Sequence, residues 1–242
     1  MKLSLSQPLK NNTFPFTIMK TLWTDQDGTL IKEAPIGVVT QRYCFEDVNN
    51  EYLKQFYDGE ISYDELMSST VRELIKRRAT RKDLTDIFRS LTPMPGLQNL
   101  LANLNGSGLA IISGGLVDIS EVHGITPHFQ ETHGVRLLYD EQGFLKGYIS
   151  FEGTKEGKYE CFENVRQRKR IAYHDVVYMG DSGNDVLIAK RIVENGGTFL
   201  FVQPEEAHEH CYKRREEQHI LEMEKIATAT IQTLDEALLH LD

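Results

Sequence analysis

Cysteine is scarce in this 242-residue chain, with only Cys44, Cys161 and Cys211. They are odd in number and far apart, which excludes a disulfide framework or a closely spaced thiol metal site and suits a reducing compartment. Positive charge is also in deficit. Lys and Arg number 27 against 36 Asp and Glu, for a formal net charge of −9. Phosphate backbones need basic stripes, so nucleic acid is excluded as the main partner. A small anionic substrate stays open if cations are concentrated locally. No apolar run approaches the ~20 residues that span a bilayer, which leaves no membrane partner. Pro8, Lys10, Asn11 and Asn12 break up the N-terminal stretch where a secretory signal would need an apolar core. The expected location is cytoplasmic. Internal repeats and low-complexity tracts are missing as well.

What is present is a chain with 40% hydrophobic residues, enough for a full core. One large domain, or a core with a smaller insert, fits this length better than two equal domains. The stretch that organises the rest is Leu22-Trp23-Thr24-Asp25-Gln26-Asp27-Gly28-Thr29-Leu30. It reads as an apolar strand ending in two carboxylates two residues apart, then a glycine turn. Acids at the carboxyl end of a strand lie where open α/β sheets place their ligands. Close carboxylates repel unless a proton or cation sits between them, so the pair invites a hard divalent metal and a division of roles.

Residues 1–16 read as a loose N-terminal extension, and Thr17 to Thr24 as the first strand. The connection from Thr29 carries Pro35 and Gly37. From 38 to 91 the apolar spacing is helical and predicts an insert of three or four helices, with Ser62 and Glu65 forming a capping box. Thr92-Pro93-Met94-Pro95-Gly96 is a turn cluster. Leu97 to Leu104 reads as a helix and Leu109 to Ile112 as a buried strand that stops at Ser113-Gly114-Gly115, with a helix from Leu116. Sequence from about 134 to 150 reads as a hairpin around Asp140-Glu141-Gln142-Gly143. A polar helix follows from Glu156 to Arg170, with a solvated basic end. Asp175 to Met179 is a strand ending in Gly180-Asp181-Ser182-Gly183-Asn184-Asp185, then a helix from Val186 and a strand from Thr198 to Val202. Residues 204–225 read as a charged surface helix, which is also the reading for His208, His210 and His219. Thr228 to Leu241 gives a short strand and a terminal amphipathic helix. Strands alternating with helices predict an α/β fold with a doubly wound parallel sheet. The core comprises 17–37 and 92–242, with a helical cap inserted after the first strand.

Three strand ends then carry chemistry: Asp25 and Asp27, Ser113, and Asp181 with Asp185. Asp25, Asp27 and Asp181 offer hard oxygen ligands for Mg²⁺. Ser113 and the N–H of Gly114, taken as a helix start, suit phosphate oxygens, and Lys158 adds a point charge. The set describes phosphoryl transfer, with one aspartate attacking phosphorus and the other serving as acid and base. Asp25, at the rigid strand end, is assigned as nucleophile and Asp27 as acid/base.

In order along the chain, Asp25-Gln26-Asp27-Gly28-Thr29-Leu30, Ser113-Gly114-Gly115, Lys158 and Gly180-Asp181-Ser182-Gly183-Asn184-Asp185 resemble the four signatures of the haloacid dehalogenase (HAD) superfamily of phosphatases. The helical insert, Pro93-Met94-Pro95-Gly96 and the hairpin before Lys158 resemble its phosphoserine phosphatase branch. The resemblance implies a HAD-like, Rossmannoid core and an aspartyl-phosphate on Asp25. It implies Mg²⁺ held by the Asp25 carboxylate, the Asp27 backbone carbonyl and Asp181, with Asp185 supporting the metal's water shell and Lys158. Ser113 and Lys158 would contact phosphate, and Asn184 would lie near it. Two departures stand out. Gln26 is polar where the family usually has an apolar residue, with no expected effect on chemistry. The family's substrate-reading glutamate pair is Glu33-Ala34 here, and its cap arginine matches Ser68, with Arg72 one turn further on. Glu33, Ser68 and Arg72 are thus the candidate specificity residues, and a small phosphorylated metabolite other than phosphoserine is favoured. A phosphotransferase or phosphomutase on the same fold, and a receiver-like phospho-acceptor, are the alternatives. A monomer or homodimer is expected.

Overall fold

The computed structural model describes residues 20–203 and 213–241, the side chains of 213–219 excepted. The expectations for the N-terminal extension, for residues 204–212 and for the side chains of His208, His210, Cys211 and His219 lie outside the described residues. Strand β1 (Thr21–Thr24) is followed by helices α1 (Pro35–Arg42), α2 (Glu46–Tyr57), α3 (Tyr63–Lys76) and α4 (Arg81–Ser90). Then come α5 (Leu97–Asn103), β2 (Gly108–Leu116), α6 (Asp118–Val122), β3 (Glu131–Tyr139) and β4 (Leu145–Ile149). The chain continues through α7 (Lys155–Lys169), β5 (Val176–Gly180), α8 (Val186–Glu194), β6 (Thr198–Val202), α9 (Lys213–Ile226) and β7 (Ala229–Ile231).

The strands form one sheet in the order β4-β3-β2-β1-β5-β6-β7, parallel throughout except for the β3–β4 hairpin. Each central strand is apolar on both faces, as a sheet covered on both sides requires. On β5, Val176 and Tyr178 point to one face and Val177 and Met179 to the other, and β6 splits Phe199 and Phe201 from Leu200 and Val202 in the same way. One face packs against Phe162 and Val165 of α7 and Ile188 and Ile192 of α8. The other packs against Leu97, Leu100 and Leu101 of α5 and Ile119 of α6. Trp23 and Phe162 are both fully buried and meet edge-on at 4.9 Å. Burying each such side chain contributes about 1.5–3 kcal/mol. The central position of β1 places its carboxyl end, with Asp25 beside it, in the middle of the sheet edge.

Between β1 and β2 the chain is helical, α1 to α4 and then α5, with the expected capping box complete at Ser62 and Glu65. Several details differ from expectation. The helices begin at Pro35, because proline suits the first turn, so Gly37 is helical and not a free connection. Strand β2 runs through Ser113-Gly114-Gly115 to Leu116. Its pairing with β3 shifts register between Ile112 and Leu116, so the glycines form an irregularity inside a strand and Gly114 is not at a helix start. The β3 half of the hairpin begins at Glu131 and also extends the parallel sheet. The terminal segment Leu234–His240 is a 3-10 helix. No helix among the described residues is long and apolar enough to cross a membrane.

Candidate active site

The ladder between β1 and β5 continues one residue past β1, where the Asp25 N–H donates to the Met179 carbonyl at 2.9 Å. The chain then turns at once. The Gln26 carbonyl accepts from the N–H groups of Thr29, Leu30 and Ile31, and Gly28 adopts φ +76. A side chain is strained at that φ, and a Cβ on Gly28 would fall 2.0 Å from Asp181 Oδ2. The turn therefore brings the first acidic stretch against the loop after β5. Thr29 Oγ1 donates to Asp181 Oδ1 at 3.0 Å.

Lys158 sits one turn into α7, whose first turn is capped by the Thr154 side chain accepting from the Gly157 N–H. It is 1% exposed. Its Nζ lies 3.0 Å from Asp25 Oδ2 and donates to Asp185 Oδ1. Asp185 is fully buried and also accepts from the Tyr178 hydroxyl at 2.7 Å. Carboxylate oxygens of Asp25, Asp181 and Asp185 come within 4.8 Å of one another. Burial pushes the Asp25 pKa up to about 7, with Asp185 and Asp27 adding to the rise against the pull of Lys158. Burial likewise raises Asp27 to about 6, opposed by the Gln26 hydrogen bond and Lys158. Asp181 is raised well above the usual carboxylate range by burial, then by Asp25 and Asp185. Burial opposes the charge on Lys158, but Asp185 and Asp25 outweigh it and raise its pKa. One lysine does not balance these acids, and a hard divalent cation among Asp25, Asp181 and Asp185 fits both the charge deficit and the all-oxygen donor set.

Asp27 stands apart from that triad. Its Oδ1 accepts from Gln26 Nε2 at 2.7 Å, and a Cβ on Gly115 would sit 2.0 Å from its Oδ2. Gln26 is fully buried, and every polar end is used. Its amide also donates to the Leu116 carbonyl at 3.1 Å and accepts from Ser120 Oγ at 2.6 Å. The polar departure at this position, expected to leave the chemistry alone, holds the second acid of the pair. Only the fold reveals this, because Leu116 and Ser120 are some ninety residues away along the chain.

A cavity of about 870 Å³ opens over the sheet edge and is lined by Asp25, Asp27, Ser113, Gly114, Lys158 and Asp181, with Asn184 also on its wall. Ser113 is fully buried, and its Oγ accepts from the Gly115 N–H at 2.9 Å. The Tyr63 hydroxyl at the start of α3 donates to the Gly114 carbonyl, which docks the helical insert onto the β2 irregularity. The candidate specificity residues behave differently. Glu33 accepts from Thr92 N at 2.8 Å and Thr92 Oγ1 at 2.7 Å, tying the entry of the insert to its exit. Ser68 and Arg72 interact with Tyr148 of β4. None of the three lines the cavity. Side chains advance about 100° per residue around a helix, so α3 turns Leu66, Met67 and Thr70 inward and Ser68 and Arg72 aside. Asn49 of α2, which no motif marked, is on the wall too.

No family model matches the chain. It is 25% identical over 179 residues to the phosphoserine phosphatase of Methanocaldococcus jannaschii, covering 71% of this chain and 82% of that protein. Among solved structures, it is similar to the phospho-aspartyl intermediate analogue of a phosphoserine phosphatase, with TM-score 0.67, 18% identity and coverage of 93% and 99% of the two chains. A HAD family hydrolase from Salmonella enterica serovar Typhi gives TM-score 0.71 at 15% identity, covering 93% and 72%. The likeness to these solved structures shows a shared fold, and together with the curated relative it supports reading this chain as a haloacid dehalogenase-type phosphatase.

Proposed function

We propose that this phosphatase hydrolyses a small phosphomonoester by way of a phosphoryl group carried transiently on Asp25. An Asp25 carboxylate oxygen attacks phosphorus as the bond from phosphorus to the ester oxygen breaks, and Asp27 gives its proton to the departing alkoxide. Asp27 then takes a proton from water, the water oxygen attacks phosphorus, and Asp25 is released with inorganic phosphate. The raised Asp27 pKa, about 6, suits a group that must both give and take a proton near neutrality. Lys158 beside Asp25 supplies positive charge for the phosphoryl oxygens, and the Ser113 hydroxyl, the Gly114 N–H and Asn184 offer them hydrogen bonds. Asp25, Asp181 and the Asp27 backbone carbonyl would hold Mg²⁺, with Asp185 steadying Lys158 and the ion's water shell. When bound, the ion supplies charge that stabilises the phosphoryl oxygens. Helices α1 to α4 form the cover, and Tyr63 is its contact with the phosphate side. Closure of such a cover excludes bulk water from the reaction.

The observation that carries this reading is the convergence on one cavity of the Asp25–Asp27 pair with Lys158 and Asp181, which lie more than a hundred residues further along the chain. The test is phosphate release from p-nitrophenyl phosphate with Mg²⁺ and with a chelator, combined with rapid acid quench and mapping of the labelled peptide. Turnover that needs the ion, with label on Asp25, is expected. Label on another residue, or turnover unaffected by chelation, overturns it.

A further inference from the structure

Away from the acids, the same cavity extends between the inner faces of α2 and α3. Asn49 and Thr70 stand together there, 2% and 1% exposed. Thr70 Oγ1 lies 2.9 Å from Asn49 Oδ1 and 3.0 Å from the Leu66 carbonyl. The single hydroxyl proton is shared between the amide oxygen and the carbonyl, and Asn49 Nδ2, with no hydrogen bond among the described residues, is on the cavity wall. Among the described side chains the buried polar atoms without a partner are the Tyr43 hydroxyl, Thr126 Oγ1 and Thr132 Oγ1, so the Asn49 amide end is open to the cavity and not sealed within the helix packing. Around it the wall is apolar, with Leu53, Leu66 and Met67. Apart from the acid cluster and its lysine, the charged residues on the cavity wall are Lys32, half-buried, and Glu46, exposed, and no arginine lines it.

We propose that this recess seats the leaving group and selects the phosphate ester of an uncharged alcohol, one carrying a hydroxyl or carbonyl oxygen on a short carbon skeleton. Asn49 reads that oxygen, and Thr70 orients Asn49. The inference rests on the phosphatase reading above and deepens it. A carboxylate or ammonium seated against Asn49, Leu53, Leu66 and Met67 would leave water for a neutral amide and aliphatic carbon, with Lys32 and the exposed Glu46 the only charges elsewhere on the described wall outside the acid cluster and its lysine. A neutral amide does not compensate for an unpaired buried ion. Phospho-amino acids carry both groups. A hydroxyl loses little on transfer because the waiting amide replaces its water partner, and the apolar wall accepts the carbon skeleton.

The test is a set of initial rates on glycerol 1-phosphate, erythritol 4-phosphate, phosphoserine, phosphoethanolamine and 3-phosphoglycerate, with p-nitrophenyl phosphate reporting the basal chemistry. A neutral ester is expected to exceed every charged one in kcat/KM by about tenfold or more. Asn49→Leu is expected to lower kcat/KM on the neutral esters about tenfold, chiefly through KM, and to narrow that ratio. If the leucine variant does not fold, Asn49→Asp takes its place and is expected to tip the ratio toward phosphoethanolamine. Absence of p-nitrophenyl phosphate turnover by the native chain defeats the phosphatase reading and this inference with it. Turnover of that reporter, combined with a charged ester matching or exceeding the neutral ones, overturns the leaving-group inference alone. So do variant ratios equal to those of the native chain.

Discussion

On its sheet side, the cavity wall carries Asp25, Asp27, Asp181 and Lys158, held by strand ends and the first turn of α7. On its helical side, it carries Asn49, Thr70, Leu53, Leu66 and Met67, with Glu46 the one charged residue that α2 and α3 place on it. The two walls differ in how their groups are held. The acids are fixed by backbone ladders and by one another, through Lys158 to Asp25 and Asp185 and through Thr29 to Asp181. Packing between amphipathic helices holds the neutral wall, and one buried hydroxyl–amide contact orients its polar pair. Groups that repel one another need the stiffer frame, because burial raises the free energy of each charge unless its partners stay in place. Recognition of a carbon skeleton tolerates the softer frame, so the chemistry sits on the sheet and selectivity on the insert.

That contrast can be broken in graded steps. Asp25→Asn removes the nucleophile and is expected to lower kcat on p-nitrophenyl phosphate by on the order of 10⁴-fold or more. Activity within tenfold of the native value would detach the sheet wall from the chemistry. Gly115→Ala would place a Cβ 2.0 Å from Asp27 Oδ2 and push that carboxylate aside. A displacement of this size costs about 10²-fold in turnover, with little change in the thermal midpoint expected from an effect confined to the site. Gln26→Leu removes the hydrogen bond to Asp27 and leaves the Ser120 hydroxyl to find another partner. A fall of about tenfold in kcat with KM nearly constant is expected, and the limb of the pH–rate profile assigned to Asp27 should move to higher pH, because the lost hydrogen bond favoured its charged form. An unmoved limb would reduce Gln26 to a packing role.

The smallest effect lies wholly on the helical side. Glu73 of α3 accepts from Lys76 at 2.6 Å and from Arg77, and these hydrogen bonds hold its carboxyl below the usual glutamate range. A depressed folded-state pKa stabilises the fold above the unfolded value of about 4.3, and that contribution is lost as pH falls through the folded value. Lys76 is largely exposed, so Glu73→Gln is expected to cost no more than about 1 kcal/mol at pH 7. The gap in thermal midpoint between the native and variant chains should narrow as pH is lowered below the unfolded value. A gap that does not narrow would mean that the side chain matters by packing and not by charge.

How much could be read in advance also follows the two walls. Asp25, Asp27, Lys158 and Asp181 each sit in a short local pattern of strand, turn and helix start, where spacing along the chain translates directly into position at the sheet edge. The alternation of apolar runs set the parallel sheet in the same way, and Ser62 with Glu65 marked the start of α3. Ser113-Gly114-Gly115 misled in one respect. Its small residues look like a turn into a helix, but β2 continues through them because β3 resumes pairing at Leu116 and Val135. Glu33 rests on its place after the first acidic stretch, whereas Ser68, and Arg72 one turn on, rest on position matching across a helical insert. There a shift of two residues rotates a side chain by about 200°, from the cavity to the opposite side. Asn49 carried no signal beyond being a polar residue at an inward helical position, a cue that periodicity alone does not separate from chance.

Local chemistry, by itself, determined that a parallel sheet would form, that acids would stand at its carboxyl edge, and that a helical segment would interrupt it after the first strand. Those outcomes depend on side-chain period and on residues a few positions apart. The tertiary structure alone decided that Gln26 would grip Asp27 through partners on β2 and α6, and that Lys158 would lie between Asp25 and Asp185. It also decided that Asn49 and Thr70 would face the leaving-group recess while Ser68 and Arg72 of the same helical segment would not. The reason is geometric: which face of a helix meets a cavity depends on how it packs against elements distant in the chain, and no spacing within the helix specifies that angle.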